Sequence, residues 1–143
     1  MLVSHILGAK GRNVITIAPE KTLADAVRAL HEHRIGALVV RTPQGKVAGI
    51  LSERDIVNAL SADGAAALNR AVKDYMTADV ATCGEGDAVE EIMETMTNGR
   101  FRHVPVIKDG ALVGIVSIGD VVKSRLEETV GEAKALKDYI GAA

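Results

Sequence analysis

Aromatic side chains are scarce in this sequence of 143 residues, at 2% of the chain. Single-stranded nucleic acids are bound largely by stacking their bases on aromatic rings, so this scarcity argues against such a partner. The formal net charge of −2 provides no general attraction to DNA, RNA or an anionic membrane. We therefore expect neither a nucleic acid nor a membrane among the partners of this protein.

Cysteine and long apolar runs are equally scarce. Cys83 is the only cysteine, which excludes a disulfide within the chain and favours a reducing compartment. The apolar run that follows Met1 is too short for a secretory signal, and no run approaches the ~20 apolar residues needed to span a bilayer. We therefore expect a cytoplasmic protein.

Motifs for catalysis and for cofactors are missing too. The sequence contains neither Gly-x-Gly-x-x-Gly nor a P-loop, and the histidines lack the spacing of zinc ligands. His31 and His33 are two residues apart on a predicted helix, so they point about 200° apart and cannot share a metal ion. No nucleophile is accompanied by a base and an oxyanion donor. We expect no enzyme, no catalytic residue, no metal site and no catalytic cofactor.

The sequence does contain an internal repeat, within a composition that is 48% hydrophobic and mainly aliphatic. Residues 14–57 are echoed by residues 80–122, with an offset of 66 at Thr16 and Thr82 and of 65 at Asp55 and Asp120. Both copies close with the phrase Gly-x-x-Ser-x-x-Asp. One unit of this size buries little surface alone, so we expect the two units to stack and share a core.

The hydrophobic pattern predicts the order strand, helix, strand, strand, helix in each unit. Thr22 and Asp87 are predicted to cap the first helix of each unit, and Ser52 and Ser117 to begin the last. The predicted fold is α+β of the α/β type, with two pseudo-symmetric β-α-β-β-α units stacked through their sheets. We assign an N-terminal segment to 1–13, the two units to 14–60 and 80–124, a linker to 61–79 and a helical tail to 125–143. The opening strands are predicted at 14–17 and 80–83, and the hairpins at 37–51 and 103–116.

The doubled unit resembles a tandem pair of CBS domains, a Bateman module, and in particular the short stand-alone pairs of bacteria. The resemblance rests on the closing phrases at 49–55 and 114–120 and on the segment Arg-Phe-Arg-His-Val-Pro-Val at 100–106. It implies two clefts between the units, adenine nucleotides as ligands and a homodimer. In similar proteins, each cleft takes a ribose-binding aspartate from one unit and part of its base-binding wall from the opening strand of the other.

The closing phrases have two interpretations. The carboxylates of Asp55 and Asp120 can accept hydrogen bonds from both hydroxyls of a ribose. Ser52 and Ser117 stand where a helix N-terminus can hold a phosphate. The alternative is a capping box, in which the serine caps the helix and the aspartate bonds back to the backbone. Both roles are compatible for the serine.

The two copies differ in charge. Arg102 and His103 precede a strand of the second copy and form a candidate phosphate clamp, where the first copy has Gly36 and Ala37. The alternative is a surface arginine beside a hydrogen-bonded histidine. Arg54 and Lys10 are further candidate phosphate contacts. The alternative for Arg54 is an exposed side chain on the helix, and for Lys10 the commoner case is a solvated lysine in a loop. The candidate ligand-binding residues are Lys10, Ile15, Ile35, Gly36, Ile50, Ser52, Arg54, Asp55, Val80, Ala81, Arg102, His103, Pro105, Ile115, Ser117, Gly119 and Asp120.

These observations lead to a functional hypothesis. We expect a non-catalytic regulatory sensor that binds AMP, ADP, ATP or NAD(H) between its two units. Binding would signal, through a conformational change, to an unidentified protein partner. The alternative is a dimerising scaffold or protein-interaction module without a ligand.

Overall fold

The computed structural model describes residues 1–142. Five helices and five strands contain most of this part of the chain, and two short 3₁₀ helices, Gly64–Asn69 and Val72–Asp74, lie in the linker. The predicted fold class is confirmed, since two mixed α/β units follow one another. In chain order the elements are α1 (Val3–Lys10), β1 (Thr16–Ile17), α2 (Leu23–His33), β2 (Ala37–Arg41), β3 (Val47–Ser52), α3 (Glu53–Asp63), α4 (Val89–Gly99), β4 (His103–Lys108), β5 (Ala111–Ser117) and α5 (Ile118–Ala142).

The first unit contains a three-stranded sheet in the order β1-β2-β3. Strand β1 pairs with β2 in parallel, and β2 forms an antiparallel hairpin with β3. The predicted cap of α2 is confirmed: the Thr22 hydroxyl accepts a hydrogen bond from the Asp25 N–H at 3.1 Å, and the Asp25 carboxylate accepts from the Thr22 N–H at 3.2 Å. Leu38 and Leu51 of this sheet are fully buried in a core cluster with side chains of α2 and α3.

The second unit contains the antiparallel pair β4-β5, and the prediction of an opening strand at 80–83 is wrong. A single bridge remains, in which the Cys83 N–H donates to the Pro105 carbonyl at 3.0 Å and the Cys83 carbonyl accepts from Ile107 at 2.8 Å. Residues 80–82 form no strand, and a turn starts directly after Cys83. There the Asp87 carboxylate accepts from the Gly84 N–H at 2.8 Å.

This turn also explains why the predicted cap of α4 is wrong. The Asp87 carboxylate is bound to Gly84, and α4 begins after Ala88, whose side chain provides no cap. Asp87 precedes the N-cap position by one residue, so its carboxylate binds the backbone of the preceding turn and not that of the helix.

The segment in front of each unit packs on the other unit. Helix α1, in front of the first unit, buries Val3 and Leu7 in the core cluster of the second. The linker buries Ala67 and Val72 in the core cluster of the first. The buried side chains therefore form two clusters, where the sequence led us to expect one shared core. This exchange of flanking segments connects the two units.

Helix α1 was not predicted. It has eight residues, no side-chain cap at Leu2 and a glycine at position 8, so its local signal is weak. A helix this short is marginal on its own, and it is stabilised here by packing.

Two glycines at equivalent places allow this close packing. A Cβ atom at Gly49 of β3 would lie 2.6 Å from the carbonyl oxygen of Thr77, in the linker. A Cβ atom at Gly114 of β5 would lie 2.8 Å from Cδ1 of Leu7, in α1. Each glycine therefore lets a flanking segment reach the sheet of the opposite unit.

Helix α5 extends along 25 residues, about 37 Å at the rise of an α-helix. Ile118, Val122, Leu126 and Val130 are spaced four residues apart on one side of it, and all four are exposed. Between residues 1 and 142, no helix has both the length and the apolar character required to cross a membrane.

Candidate functional site

A cleft of about 680 Å³ lies where the N-terminus of α3 faces the segment between α4 and β4. Its volume falls within the roughly 300–1,000 Å³ that is typical of small-molecule sites. Eight of the predicted site residues line it, together with six that were not predicted. The lining residues are Gly36, Ile50, Ser52, Glu53, Arg54, Asp55, Val57, Thr77, Val80, Gly99, Arg100, Phe101, Arg102 and His103.

Asp55 lies at the first turn of α3, on the wall of this cleft. Its Oδ2 accepts hydrogen bonds from the Ser52 N–H at 2.9 Å and the Ser52 hydroxyl at 3.2 Å. Its Oδ1 accepts a bond of 3.3 Å from the hydroxyl of Thr77. The capping interpretation of the Ser-x-x-Asp phrase is therefore observed. The bond at Oδ1 is long and comes from a neutral hydroxyl, which a ribose hydroxyl can replace, so the ribose interpretation is compatible with the cap.

Three guanidinium groups, those of Arg54, Arg100 and Arg102, line the same cleft. In the described part of the chain, none of the three forms an ion pair. Glu53 and Asp55 are the carboxylates in the lining, so the wall has an excess of positive charge. Planar arginine side chains without a protein carboxylate are well suited to a phosphate group.

Arg100 is a site residue that the sequence analysis missed. It terminates α4 in the left-handed conformation with φ 57°, and its counterpart Arg34 terminates α2 with φ 53°. The repeat could have indicated this residue, because an arginine is present at both equivalent positions, 66 residues apart. The left-handed residue turns the chain at the end of α4, where it borders the cleft.

His103 is half-buried beside Gly36. Burial lowers the pKa of His103, and the positive charges of Lys10 and Arg102 lower it further. The imidazole is therefore neutral at pH 7 and can either donate or accept a hydrogen bond. A Cβ atom at Gly36 would lie 3.2 Å from Oε1 of Glu53, so this glycine contributes to the open space of the cleft.

The Asp120 site has a different geometry. Asp120 Oδ2 accepts from the Ser117 N–H at 2.8 Å and from Lys10 Nζ at 2.6 Å. The same ammonium group donates to the Ile115 carbonyl at 2.9 Å. Burial raises the pKa of Asp120, but the bonds from Lys10 and Ser117 outweigh it and hold this pKa below its usual range. Lys10 and Asp120 also line a cavity of about 90 Å³ between α1 and α5, together with Lys123.

The remaining predicted residues lie elsewhere. Ile15 packs against the core of the first unit, and Ile35 lines a separate groove of about 730 Å³ between α2 and α3. Pro105 is buried in β4, and Ala81 is half-buried beside Val80 without lining the cleft. A Cβ atom at Gly119 would meet only the Ser117 hydroxyl, at an ordinary 3.6 Å, so no close approach requires glycine there.

Cys83 shows no sign of reactivity. Burial, with a smaller contribution from the charge of Asp87, raises the pKa of its thiol to about 12. The protonated thiol is a poor nucleophile and a poor metal ligand. From Met1 to residue 142, no three His, Cys, Asp or Glu side chains are arranged to hold a metal ion.

Comparison with known proteins adds a family context to this geometry. The family described as CBS domain matches residues 4–62 and 72–127. The mitochondrial CBS domain-containing protein CBSX3 of Arabidopsis thaliana is 36% identical in an alignment that covers 96% of this chain and 71% of that protein. Both repeats of this chain therefore match the same domain family.

Solved structures are similar as well. A CBS-domain containing protein from Agrobacterium tumefaciens superposes with a TM-score of 0.85 at 47% identity, covering 87% of this chain and 99% of the other. A CBS domain pair solved in complex with 5′-methylthioadenosine and S-adenosyl-L-methionine has a TM-score of 0.76 at 30% identity, over 90% of this chain and 97% of the other. The second of these proteins binds adenosyl compounds.

Proposed function

This chain belongs to the CBS-domain family as a tandem pair, a regulatory module, and on that premise we propose that it is a non-catalytic sensor of adenine nucleotides. The proposed ligand is AMP, ADP, ATP or NAD(H), bound in the cleft at Asp55. The observation that carries this proposal is the composition of that cleft, in which a helix-terminal carboxylate stands opposite arginines without carboxylate partners.

The chemistry of the lining supports a nucleotide. The Asp55 carboxylate is suited to a ribose diol, and Ile50 and Val80 offer apolar surface to a base. Arg54 and Arg102 offer charge-assisted hydrogen bonds to phosphate oxygens. All of these groups line one cleft, so a single nucleotide can engage them together.

The solved complex with two adenosyl compounds supports adenosine as the common part of the ligand. The excess of arginine in this cleft favours a phosphorylated adenosine over S-adenosylmethionine, whose sulfonium is cationic. In our proposal, binding stabilises one arrangement of the two units, and its influence equals the difference in affinity between the two arrangements.

A second function, as a homodimeric scaffold, is supported by a separate observation. Apolar side chains of α5 stand exposed over several turns, including Val122 at 50% and Leu126 at 61%. Contiguous apolar surface of this kind is typical of interaction sites. We propose a homodimer with or without a ligand, and a downstream protein partner in the cytoplasm as the receiver of the signal.

Isothermal titration with AMP, ATP and NAD tests the nucleotide proposal. The wild-type protein should bind at least one of them, and a ligand at ~100 times its Kd should stabilise the fold by about 2.7 kcal/mol. Asp55→Asn should weaken binding at least tenfold, since it removes the charged acceptor for the diol.

Asp109→Asn is the matched control. Asp109 is an exposed turn residue with φ 52°, a conformation that asparagine tolerates well, so binding should be unchanged. If none of the three ligands binds the wild-type protein, the scaffold function remains and the sensor is refuted. Turnover of a bound nucleotide would instead reveal an enzyme.

A further inference from the structure

The two Ser-x-x-Asp sites receive different donors from the flanking segments, Thr77 on Oδ1 of Asp55 and Lys10 on Oδ2 of Asp120. At the first site, the Thr77 N–H donates to the Ile50 carbonyl at 2.9 Å and the Thr77 hydroxyl donates to Asp55 at 3.3 Å. Ile115 and Asp120 stand 65 residues after Ile50 and Asp55. There, the single ammonium group of Lys10 donates to both the Ile115 carbonyl and the Asp120 carboxylate, at 2.9 and 2.6 Å.

The flanking segments explain why a lysine serves the second site. Leu2 bridges Ala88 as Ala71 bridges Thr22, so these segments correspond at an offset of 69. Leu7 therefore lies opposite Met76, and each packs on the glycine of the opposite sheet. Gly8 lies opposite Thr77 and has no hydroxyl to offer. Lys10 reaches the Ile115 carbonyl and the Asp120 carboxylate instead.

This replacement changes the strength of the bond to the aspartate. The Lys10 bond joins an ammonium group to a carboxylate at 2.6 Å, whereas the Thr77 bond joins a neutral hydroxyl to a carboxylate at 3.3 Å. A ribose hydroxyl is neutral, so it can compete with the Thr77 hydroxyl for Asp55 but competes poorly with an ammonium group for Asp120.

We propose that Lys10 is a built-in occupant that closes the Asp120 site, so that the protein has one open nucleotide site per chain. The ammonium group would compete with a ribose hydroxyl for the Asp120 carboxylate. Opening the site requires Lys10 to leave both of its acceptors. The class of ligand, an adenosine phosphate, rests on the proposed function, whereas the closure itself rests on the contacts of Lys10.

The Lys10→Met variant tests this proposal. Methionine keeps the unbranched apolar stem of Lys10 and lacks its ammonium group. Titration calorimetry with AMP should give one molecule per chain for the wild-type protein and two for Lys10→Met. The double variant Lys10→Met/Asp120→Asn should return to one. Lys46→Met, on an exposed lysine of the β2-β3 turn, should bind like the wild-type protein.

Each outcome separates closure from the proposed function. If the wild-type protein and Lys10→Met each bind one AMP per chain, the closure is overturned and the sensor function stands. Two AMP molecules per wild-type chain have the same meaning. None in the wild-type protein and one in Lys10→Met supports the closure and refutes binding at Asp55. None in either protein refutes both. Thermal unfolding verifies that Lys10→Met is folded, and Lys10→Gln, with the same expected stoichiometry, replaces it if it is not.

Discussion

At the scale of single residues, charge distinguishes the two copies of the repeat. Arg102 and His103 replace the small residues Gly36 and Ala37 of the first copy, and the structure brings Arg102, His103 and Gly36 together in one cleft. The small Gly36 of the first copy and the basic Arg102 and His103 of the second therefore border the same cleft. The pairing of Lys10 with Asp120 adds a second difference of charge between the sites.

Removing Arg102 should reveal whether the cleft recognises phosphate. Arg102→Ala should weaken AMP binding by about 10- to 100-fold, because a hydrogen bond to a charged group contributes ~1.5–3 kcal/mol. Adenosine, which has no phosphate, should lose much less. Titration calorimetry with both ligands measures the difference. Arg28→Ala, on an exposed arginine of α2 outside this cleft, is the control, and equal losses of AMP and adenosine would refute the phosphate role.

At the scale of elements, the flanking segments determine the shape of both sites. Thr77 of the linker contacts Asp55, and Lys10 at the end of α1 contacts Asp120. The close approach at Gly49 and Gly114 places them there. A flanking segment that shifts away from its glycine would therefore change the aspartate site beside it.

Gly114→Ala should separate α1 from β5. A Cβ atom there would lie 2.8 Å from two carbons of Leu7, and overpacking of this kind costs about 1–3 kcal/mol in unfolding free energy. Gly131→Ala is the control: it is a helical position with no atom within 4 Å, and alanine should stabilise α5 by about 0.5–1 kcal/mol. Urea unfolding of both variants measures these changes, and a wild-type stability for Gly114→Ala would contradict the close packing.

At the scale of the whole molecule, helix α5 presents an apolar side that the monomer leaves exposed. The side chains on it follow an i, i+4 spacing, so they would meet a partner along one line. A second copy could cover the same surface on both chains at once, as a two-fold dimer requires. The homodimer that we propose would bury this surface.

A charge placed on this side of α5 should therefore weaken the dimer. Val122→Asp and Leu126→Asp should each shift the sedimentation velocity distribution toward the monomer, because a buried, unpaired carboxylate is costly. Ala135→Asp, on the opposite side of the helix, should sediment like the wild-type protein. A dimer that resists both of the first two changes would locate the interface elsewhere, and a monomeric wild-type protein would refute the homodimer.

The sequence alone was sufficient for the features that depend on local pattern. The repeated order of helices and strands, the cap at Thr22 and the Ser-x-x-Asp phrases follow from periodicity and from side-chain hydrogen bonds over three residues. The repeat also located most of the lining of the Asp55 cleft. These features were predictable because the residues that produce them are close together in the chain.

Only the tertiary structure decided which segments meet. The contact between Lys10 and Asp120 spans 110 residues, and that between Thr77 and Asp55 spans 22. The strand predicted at 80–83 is reduced to a single bridge at Cys83, and the uncapped α1 is stabilised by packing on the opposite unit. Pattern within the chain determined two similar phrases, but contacts across the fold gave the two aspartates different donors, because those donors come from segments outside the phrases.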